Sequence, residues 1–262
     1  MRERPAADLH VEVVGQGPPL VLLHGWAMHG GIFAPLVAAL CAHRTLHVVD
    51  LPGHGRSIAS AVPLEIGACV DAVARVVPPA PWCGWSLGGL VALQAAATRP
   101  DAATALAMLC ASPRFVRGDD WRSGMSPEIF REFAAGLRDD YRGTLDRFLA
   151  LEAFGSDDAR GELRALRAAL FARGEPAARV LADGLGLLET TDLRPLLPAL
   201  PRGSLWIAGR RDRLVAPRAM REAAALAPAA RFHEVAHGGH APFLTHADDI
   251  AGVLRDWLAP RA

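Results

Sequence analysis

Short apolar segments alternate along this sequence with longer segments that have helical periodicity. A strand buried on both faces carries a continuous apolar run, whereas an edge strand alternates apolar and polar residues. We predict strands at 9–14, 20–23, 45–49, 82–85, 106–110, 205–208 and 231–235, separated by helices at 32–42, 64–77, 87–98, 217–227 and 246–258. Strands and helices in this alternation predict an α/β fold, a parallel sheet covered by helices on both faces.

The alternation stops between residues 114 and 190. This segment has no strand-like run and shows helical patterns at 127–138, 141–154, 157–172 and 176–188. We therefore expect one α/β core, built from residues 1–113 and 191–262, that is interrupted by a helical lid insertion over 114–190.

The composition excludes several classes of protein. The chain has 262 residues, 51% of them hydrophobic, which is enough for a large buried core and too apolar for a disordered protein. Its 28 basic residues, all of them arginine, balance 28 acidic residues, so nothing indicates a nucleic-acid partner.

Targeting and metal-binding signals are not found in the sequence. No apolar run reaches the roughly 18 residues of a membrane helix, and residues 1–10 are charged and lack the apolar core of a secretory signal. The four cysteines have neither CxxC pairing nor metal-ligand spacing: Cys41, Cys69, Cys83 and Cys110. We expect a cytoplasmic protein with reduced thiols, no membrane contact, and no metal or other cofactor.

The segment Gly84-Trp85-Ser86-Leu87-Gly88 has the pattern G-x-S-x-G and lies between a predicted strand and a predicted helix. There the pattern forms a tight turn that lifts the serine hydroxyl above the sheet edge, and it requires small residues on both sides. The helix that follows directs its positive end at the same point. Ser86 is therefore a candidate nucleophile; the alternative is a glycine-rich packing turn.

A serine nucleophile needs a histidine base and an orienting acid, which in this kind of fold follow later strands in the order acid, then histidine. Asp212 follows the strand at 205–208, and His240 follows the strand at 231–235 after two glycines. The alternatives are His237 or His246 as the base, Asp192 as the acid, and a surface salt bridge for Asp212.

Acyl transfer also needs hydrogen-bond donors for the oxyanion. The backbone N–H of Leu87, directly after the candidate nucleophile, is one candidate. The second is the backbone N–H of Trp26, in the loop after the strand at 20–23. Its indole is also suited to lining an acyl pocket, and simple core packing is the alternative for this residue.

Taken together, these motifs resemble the α/β-hydrolase family over nearly the full length of the chain. The segments HGW at 24–26, DLPGHGRS at 50–57, GWSLGG at 84–89, GRRDRLV at 209–215 and GHAPFLTH at 239–246 occur in the order of the family. More narrowly, the chain is similar to the pimeloyl-[acyl-carrier protein] methyl ester esterases of biotin synthesis. The narrower motifs are GWSLGGLVA at 84–92, CASPRF at 110–115, RFLALEAFG at 147–155, LETTDLR at 188–194 and HAPFLTH at 240–246.

The resemblance implies a serine carboxylesterase with the α/β-hydrolase fold and no cofactor. Ser86 would be the nucleophile, His240 the base and acid, and Asp212 the orienting carboxylate. Trp26 and Leu87 would supply the oxyanion donors. The substrate would contact Trp26, Ser86, Leu87, Phe148 and His240. The partner would be the acyl carrier protein that bears the substrate, and the enzyme is expected to be a monomer.

The helical insertion carries arginines suited to an acidic protein partner. Arg160, Arg164 and Arg167 lie on one helix face, although the segment as a whole is slightly acidic. By resemblance, the carrier protein would dock on Arg147, Arg160 and Arg164, whereas Gly143 stands where the family has a further basic residue. The alternative is a solvated helix face whose arginines pair with Asp157, Glu162 and their neighbours.

Other functions remain open at this level. The same triad serves short-chain carboxylesterases, lactonases and carbon–carbon bond hydrolases, since the lid and the pocket decide substrate choice. A hydrolase-like binding protein without catalytic activity is a third possibility. A haloalkane dehalogenase is disfavoured, because that chemistry needs a carboxylate at the position of Ser86.

Overall fold

A sheet of seven strands organises residues 9–259, the part of the chain that the computed structural model describes. The strands are β1 (Val11–Gly15), β2 (Pro19–Leu23), β3 (Thr45–Val49), β4 (Ala80–Trp85), β5 (Ala103–Leu109), β6 (Leu205–Gly209) and β7 (Arg231–Val235). Their order in the sheet is β1-β3-β2-β4-β5-β6-β7, with β1 antiparallel to β3 and the other neighbours parallel. This confirms the predicted, mostly parallel sheet. Two ranges lie outside the described residues: 1–8 and 260–262. The first contains most of the N-terminal segment that is predicted to lack a secretory signal.

Helices cover both faces of this sheet. Within residues 9–259 they are α1 (Ala34–Leu40), α2 (Ile66–Val76), α3 (Leu87–Thr98), α4 (Pro127–Asp139), α5 (Tyr141–Ala153), α6 (Ala159–Leu170), α7 (Ala178–Thr190), α8 (Pro217–Leu226) and α9 (Ala247–Leu258). Right-handed crossovers place α1 and α2 on opposite faces, because the chain moves from β2 to β3 in one direction and from β3 to β4 in the other. Accordingly, α1 packs against α9, and α2 packs against α3.

The same change of direction in the strand order creates a crevice at the edge of the sheet where a functional site is expected. The carboxyl ends of β2 and β4 are neighbours, since these two strands pair in parallel at the point where the strand order changes direction. Ligands of α/β sheets bind at such a point, in the crevice outside the carboxyl ends of the strands. The loop that begins at His24 and the turn at Ser86 are thereby brought side by side.

Four helices, α4 to α7, separate β5 from β6, and we call them the insertion helices. They pack as neighbours in the pairs α4–α5, α5–α6 and α4–α7. Two carboxylates cap their N-termini: Asp140 accepts from the Gly143 N–H at 3.0 Å, and Asp158 accepts from the Gly161 N–H at 2.9 Å. Each observed helix lies within a few residues of its predicted range.

Several strands differ from their predicted bounds by one to three residues, and for β4 the difference has a physical reason. The sequence predicts β4 at 82–85, but the strand begins at Ala80 and contains Pro81. Proline has no N–H for a regular ladder and is tolerated where pairing is irregular. The pairing of β4 with β5 shifts register between Ala80 and Pro81, which accommodates the proline.

In the part of the chain that the structure describes, no helix is long and apolar enough to cross a membrane. The same residues contain no cluster of three or more His, Cys, Asp or Glu side chains placed to hold a metal ion. Burial raises the pKa of Cys69 and of Cys83 to about 12, so these two thiols are inert core groups.

Candidate active site

The turn between β4 and α3 holds Ser86 in an unusual backbone conformation, with φ 52° and ψ −118°. Such a conformation is strained for any residue with a side chain. The backbone around this turn is too closely packed for larger residues: a Cβ on Gly84 would collide with the backbone of Gly88, and a Cβ on Gly88 would collide with the carbonyl oxygen of Leu23. The small residues of the G-x-S-x-G pattern therefore let the turn approach β2, and the serine is presented at the N-terminus of α3.

The hydroxyl of Ser86 lies next to an imidazole and, through it, a carboxylate. Nε2 of His240 is 3.0 Å from Oγ of Ser86, and Nδ1 of His240 is 2.8 Å from Oδ2 of Asp212. The exposed fractions are 4% for Ser86, 5% for Asp212 and 0% for His240. This geometry suits transfer of the serine proton to the imidazole, since the low surrounding dielectric strengthens each of these contacts.

Backbone amides orient the carboxylate of Asp212. Its Oδ1 accepts from the N–H groups of Leu214 at 2.8 Å and Val215 at 2.9 Å. The second oxygen is thereby directed to His240 and accepts a hydrogen bond from its Nδ1–H. That hydrogen bond leaves Nε2 of the imidazole as the acceptor for the proton of Ser86.

The backbone of His240 is held by two further contacts. The indole N–H of Trp85, the residue before the candidate nucleophile, donates to the carbonyl oxygen of His240 at 2.8 Å. The N–H of His240 donates to the carbonyl oxygen of Glu152, which lies on α5, at 3.3 Å. The core and an insertion helix thus both position this histidine.

The alternative bases and acid lie elsewhere. His237 is exposed and pairs with Asp157, and the ring of His246 contacts the hydroxyl of Thr245. Asp192 pairs with Arg114 and Arg194. Within the described residues, none of these three side chains pairs with Ser86 or His240, and the structure brings together Ser86, His240 and Asp212 instead.

The two candidate oxyanion donors lie on the segments that flank Ser86. Leu87 begins α3, and Gly25, next to Trp26, is so close that a Cβ there would be 3.1 Å from the Cβ of Ser86. In the turns and loops of residues 9–259, neither the Leu87 N–H nor the Trp26 N–H donates to a backbone carbonyl. Both amides remain available to an oxyanion at Ser86.

The side chain of Trp26 links the core to the insertion helices. Its indole N–H donates to the carbonyl oxygen of Leu181 on α7 at 2.8 Å. Its ring meets that of Phe148 on α5 edge to face, with centroids 4.5 Å apart, and Phe148 meets Phe133 in the same way at 5.5 Å. Trp26 therefore packs against residues of the insertion and forms an apolar wall with Phe148.

The candidate docking arginines differ in their surroundings. Arg147 donates to Asp140 at 3.4 Å and to Thr144 at 2.6 Å. Arg160 and Arg164 are exposed, and within the described residues neither forms an ion pair. The alternative partners lie elsewhere, because Asp157 pairs with Arg211 and His237, and Glu162 is buried.

Sequence reasoning missed two buried acids beside His240. Glu152 and Glu162 are each 1% exposed, whereas the sequence suggested for Glu162 only the alternative of an ion pair on a solvated helix face. The periodicity of α6 carried a signal, since Glu162 stands one and two turns before Leu166 and Leu170, the other buried residues of that helix. A carboxyl group on an apolar face indicates either a buried partner or a functional site.

Comparison with known proteins identifies the family to which this fold belongs. The chain matches the family model of the α/β hydrolase fold over residues 18–247. A pimeloyl-[acyl-carrier protein] methyl ester esterase of Xanthomonas campestris pv. campestris is 59% identical over 251 residues, covering 96% of this chain and 99% of the relative. The esterase of the same name from Stenotrophomonas maltophilia is 57% identical over 251 residues, covering 96% of both chains.

A solved structure agrees in fold. The enol-lactonase of Burkholderia xenovorans superposes with a TM-score of 0.82 at 26% identity, covering 95% of this chain and 96% of that one. The family model spans most of the sequence, and the two relatives match nearly all of it at well over half identity. On this evidence the chain belongs to the α/β-hydrolase family.

Proposed function

We propose that this chain is a serine carboxylesterase that hydrolyses the methyl ester of pimeloyl-[acyl-carrier protein] and releases methanol in biotin synthesis. The hydrogen-bonded series Ser86–His240–Asp212 carries the proposal of mechanism, since it unites a nucleophile, a base and an orienting acid. The names of the two relatives described above support the choice of substrate.

The first half of the proposed reaction acylates Ser86. Its Oγ attacks the ester carbonyl while Nε2 of His240 takes the hydroxyl proton. The carbonyl oxygen becomes negatively charged and accepts hydrogen bonds from the N–H groups of Trp26 and Leu87. Collapse of this intermediate breaks the bond to the methoxy group. His240 returns the proton to the leaving oxygen, and methanol departs.

The second half regenerates the enzyme with water as the nucleophile. His240 takes a proton from the water, whose oxygen attacks the acyl carbon, and the same two N–H groups stabilise the second oxyanion. The bond to Oγ of Ser86 breaks and the proton returns to the serine. The product is a free carboxylate on a chain still attached to its carrier.

The insertion offers an apolar wall for that chain. We propose residues 114–190 as a lid over the core, with Trp26 and Phe148 on the path of the acyl group. Between its two carbonyl groups the pimeloyl chain presents only methylene groups, and contact with these rings removes them from water.

Electrostatics favour an acidic carrier at the surface of the lid. Arg160 and Arg164 carry charges that no carboxylate neutralises within residues 9–259, and Arg147 lies on the adjacent helix α5. We propose that the carrier protein docks on these three arginines. We also propose that the enzyme is a cytoplasmic monomer without a nucleic-acid or membrane partner.

The decisive experiment compares the carrier-linked pimeloyl methyl ester with a short p-nitrophenyl ester and an enol-lactone, for the wild-type protein and Ser86→Ala. A large preference of kcat/KM for the carrier-linked ester, together with loss of turnover in the variant, is the expected result. Full activity of Ser86→Ala would overturn the mechanism. Preference for the simple ester or the lactone would keep the triad and reject the proposed substrate.

A further inference from the structure

Two buried carboxyl groups of the insertion helices lie behind the loop that carries His240. Glu152 belongs to α5 and Glu162 to α6, and each is 1% exposed. Neither has a part in the reaction steps described above. A buried ionisable group is costly unless it is paired or neutral, so its presence next to a candidate catalytic histidine calls for a physical explanation.

Glu162 is bonded directly to the loop of His240. Its Oε1 accepts from the N–H of Ala241, the next residue in the chain, at 3.3 Å. On the other side of the histidine, a Cβ on Gly239 would lie at ordinary van der Waals distance, 3.6 Å from the same carboxylate oxygen and 3.4 Å from the Cβ of Ser156. The carboxyl group of Glu162 thus bonds to the backbone after His240 and lies near the glycine before it.

The remaining oxygens of this cluster are not satisfied. Within residues 9–259, Oε2 of Glu162, both side-chain oxygens of Glu152 and the hydroxyl of Ser156 have no hydrogen-bond partner of good geometry. An apolar residue at either position would avoid this cost. The cluster is therefore poorly explained as a device for stability alone.

The charged and titratable groups around Glu162 come from four segments. His240 lies on the loop after β7, Asp212 on the loop after β6, Glu152 on α5, and Cys110 directly after β5. Among these, His240 is the group whose positive charge would attract a carboxylate, and the others repel it when charged.

The two glutamates titrate differently. Burial raises the pKa of Glu162 to about 7, opposed by three groups that favour the ionised carboxylate: the Ser156 hydroxyl, which is nearby although it forms no hydrogen bond of good geometry, the Ala241 N–H, and His240. Burial, and then the negative charges of Glu162 and Asp212, hold the pKa of Glu152 well above its usual range. Of the two, Glu162 has the surroundings that favour a carboxylate, whereas the neighbouring charges of Glu152 only oppose its ionisation.

We propose that Glu162 is a positioning residue for the esterase reaction, whose carboxylate fixes the His240 loop and stabilises the imidazolium that forms on His240 when it takes the proton of Ser86. The inference rests on the proposed mechanism but not on the identity of the substrate. Asp212 acts on the imidazole through a direct hydrogen bond, and Glu162 adds a second negative charge behind it. The proton never moves to Glu162.

The test is a pH profile of kcat/KM for a simple p-nitrophenyl ester with Glu162→Gln and Glu152→Gln. Glutamine at 162 keeps the shape and one acceptor for Ala241 but loses the charge. We expect the high-pH plateau to fall roughly 3- to 10-fold, through kcat rather than KM. We also expect the midpoint of the acid limb to move to lower pH by about half a unit or more.

Glu152→Gln is the matched control, because it makes the same change in the neighbouring buried side chain, whose oxygens have no hydrogen bond to the His240 loop within residues 9–259, and its acid limb should keep the wild-type midpoint. An unmoved midpoint in Glu162→Gln, or an equal movement in both variants, would overturn the proposal. If Glu162→Gln fails to fold, the pair Glu162→Asp and Glu162→Asn gives the same comparison with a shorter side chain. Two other outcomes would contradict the proposed function instead: no hydrolysis of the carrier-linked ester, or full activity of Ser86→Ala. Both are measured in the separate experiment described above.

Discussion

The indole N–H of Trp85 donates to the carbonyl oxygen of His240, 155 positions later in the chain, at 2.8 Å. The residue before the candidate nucleophile therefore holds the backbone of the candidate base. The two rings also approach each other, with centroids 5.6 Å apart. Because this contact joins β4 to the loop after β7, it ties the distance between Ser86 and His240 to the packing of the core.

Trp85→Phe should therefore reduce activity and stability together. It leaves a buried carbonyl oxygen without its donor, which costs about 1–3 kcal/mol, and it loosens His240. Trp82→Phe is the matched control, since Trp82 is equally buried and its indole N–H has no hydrogen-bond partner within the described residues. Urea unfolding and kcat for a simple ester measure both effects; equal losses in the two variants would contradict the role of the hydrogen bond.

Asp212→Asn should nearly abolish turnover while leaving the fold intact. The asparagine oxygen can still accept from the Leu214 and Val215 N–H groups, but its amide then donates to Nδ1 of His240. The imidazole proton moves to Nε2, which can no longer accept the proton of Ser86, and kcat falls by about 10³- to 10⁴-fold. In the control Asp192→Asn, kcat is expected to stay at the wild-type level; a comparable loss there would reopen the choice of acid.

Stability should fall as the pH drops below about 6.5, because two buried histidines must stay neutral. Burial, and then the nearby His54, lower the pKa of His24 to about 3, and burial lowers the pKa of His54 to about 4. Nε2 of His24 accepts from the Leu51 N–H at 2.9 Å, an acceptor that protonation would remove. As the pH falls, each histidine binds a proton in the unfolded chain before it does so in the folded protein. Between its unfolded and folded pKa, each therefore lowers the free energy of unfolding by up to about 1.4 kcal/mol per pH unit.

Urea unfolding of His54→Gln between pH 7.5 and 4.5 isolates one of these contributions. The slope of the free energy of unfolding against pH should become shallower by about 1 kcal/mol per unit below pH 6.5. His43→Gln, at an exposed position, should keep the wild-type slope. If both variants have the wild-type slope, His54 is not held neutral in the folded protein.

Two glycines of α7 provide a paired test of the contact between core and insertion. A Cβ on Gly184 would lie 2.7 Å from Cδ1 of Trp26, whereas a Cβ on Gly186 would have no neighbour within 4 Å. Gly184→Ala should displace Trp26 and raise KM for acyl esters several-fold. Gly186→Ala should leave KM unchanged and stabilise the helix by about 0.5–1 kcal/mol. An unchanged KM in Gly184→Ala would show that Trp26 takes no part in substrate binding.

Charge reversal on α6 tests the proposed carrier surface. Arg160→Glu combined with Arg164→Glu should raise KM for the carrier-linked ester roughly 5- to 20-fold at low salt, and the effect should shrink as salt screens the contact. Activity on a simple ester should not change. Arg202→Glu serves as the control, since this exposed arginine precedes β6 and so lies at the opposite end of the sheet from Ser86. Equal effects of both changes would argue against docking on α6.

Most of the fold was readable from local patterns. Apolar runs and helical periodicity predicted the strands and helices, because each element buries its own apolar side chains. The turn at Ser86 was also readable, since Gly84 and Gly88 are needed wherever the backbone approaches so closely. The exception at Pro81 shows the limit of local rules, because a register shift against the neighbouring strand makes the proline acceptable.

Local patterns in the sequence were enough to predict the α/β class, the order of the elements, and Ser86, Asp212 and His240 as candidates, since these depend on short-range periodicity and on position after a strand. The choice of the histidine and the aspartate that meet Ser86 required the folded structure, because Ser86 and His240 are 154 positions apart in the chain. The folded structure also decided that Trp26 meets Leu181 and that Glu162 is buried against the His240 loop rather than exposed on α6. Such contacts join distant segments, and their energies come from how whole elements pack, which no local window of sequence contains.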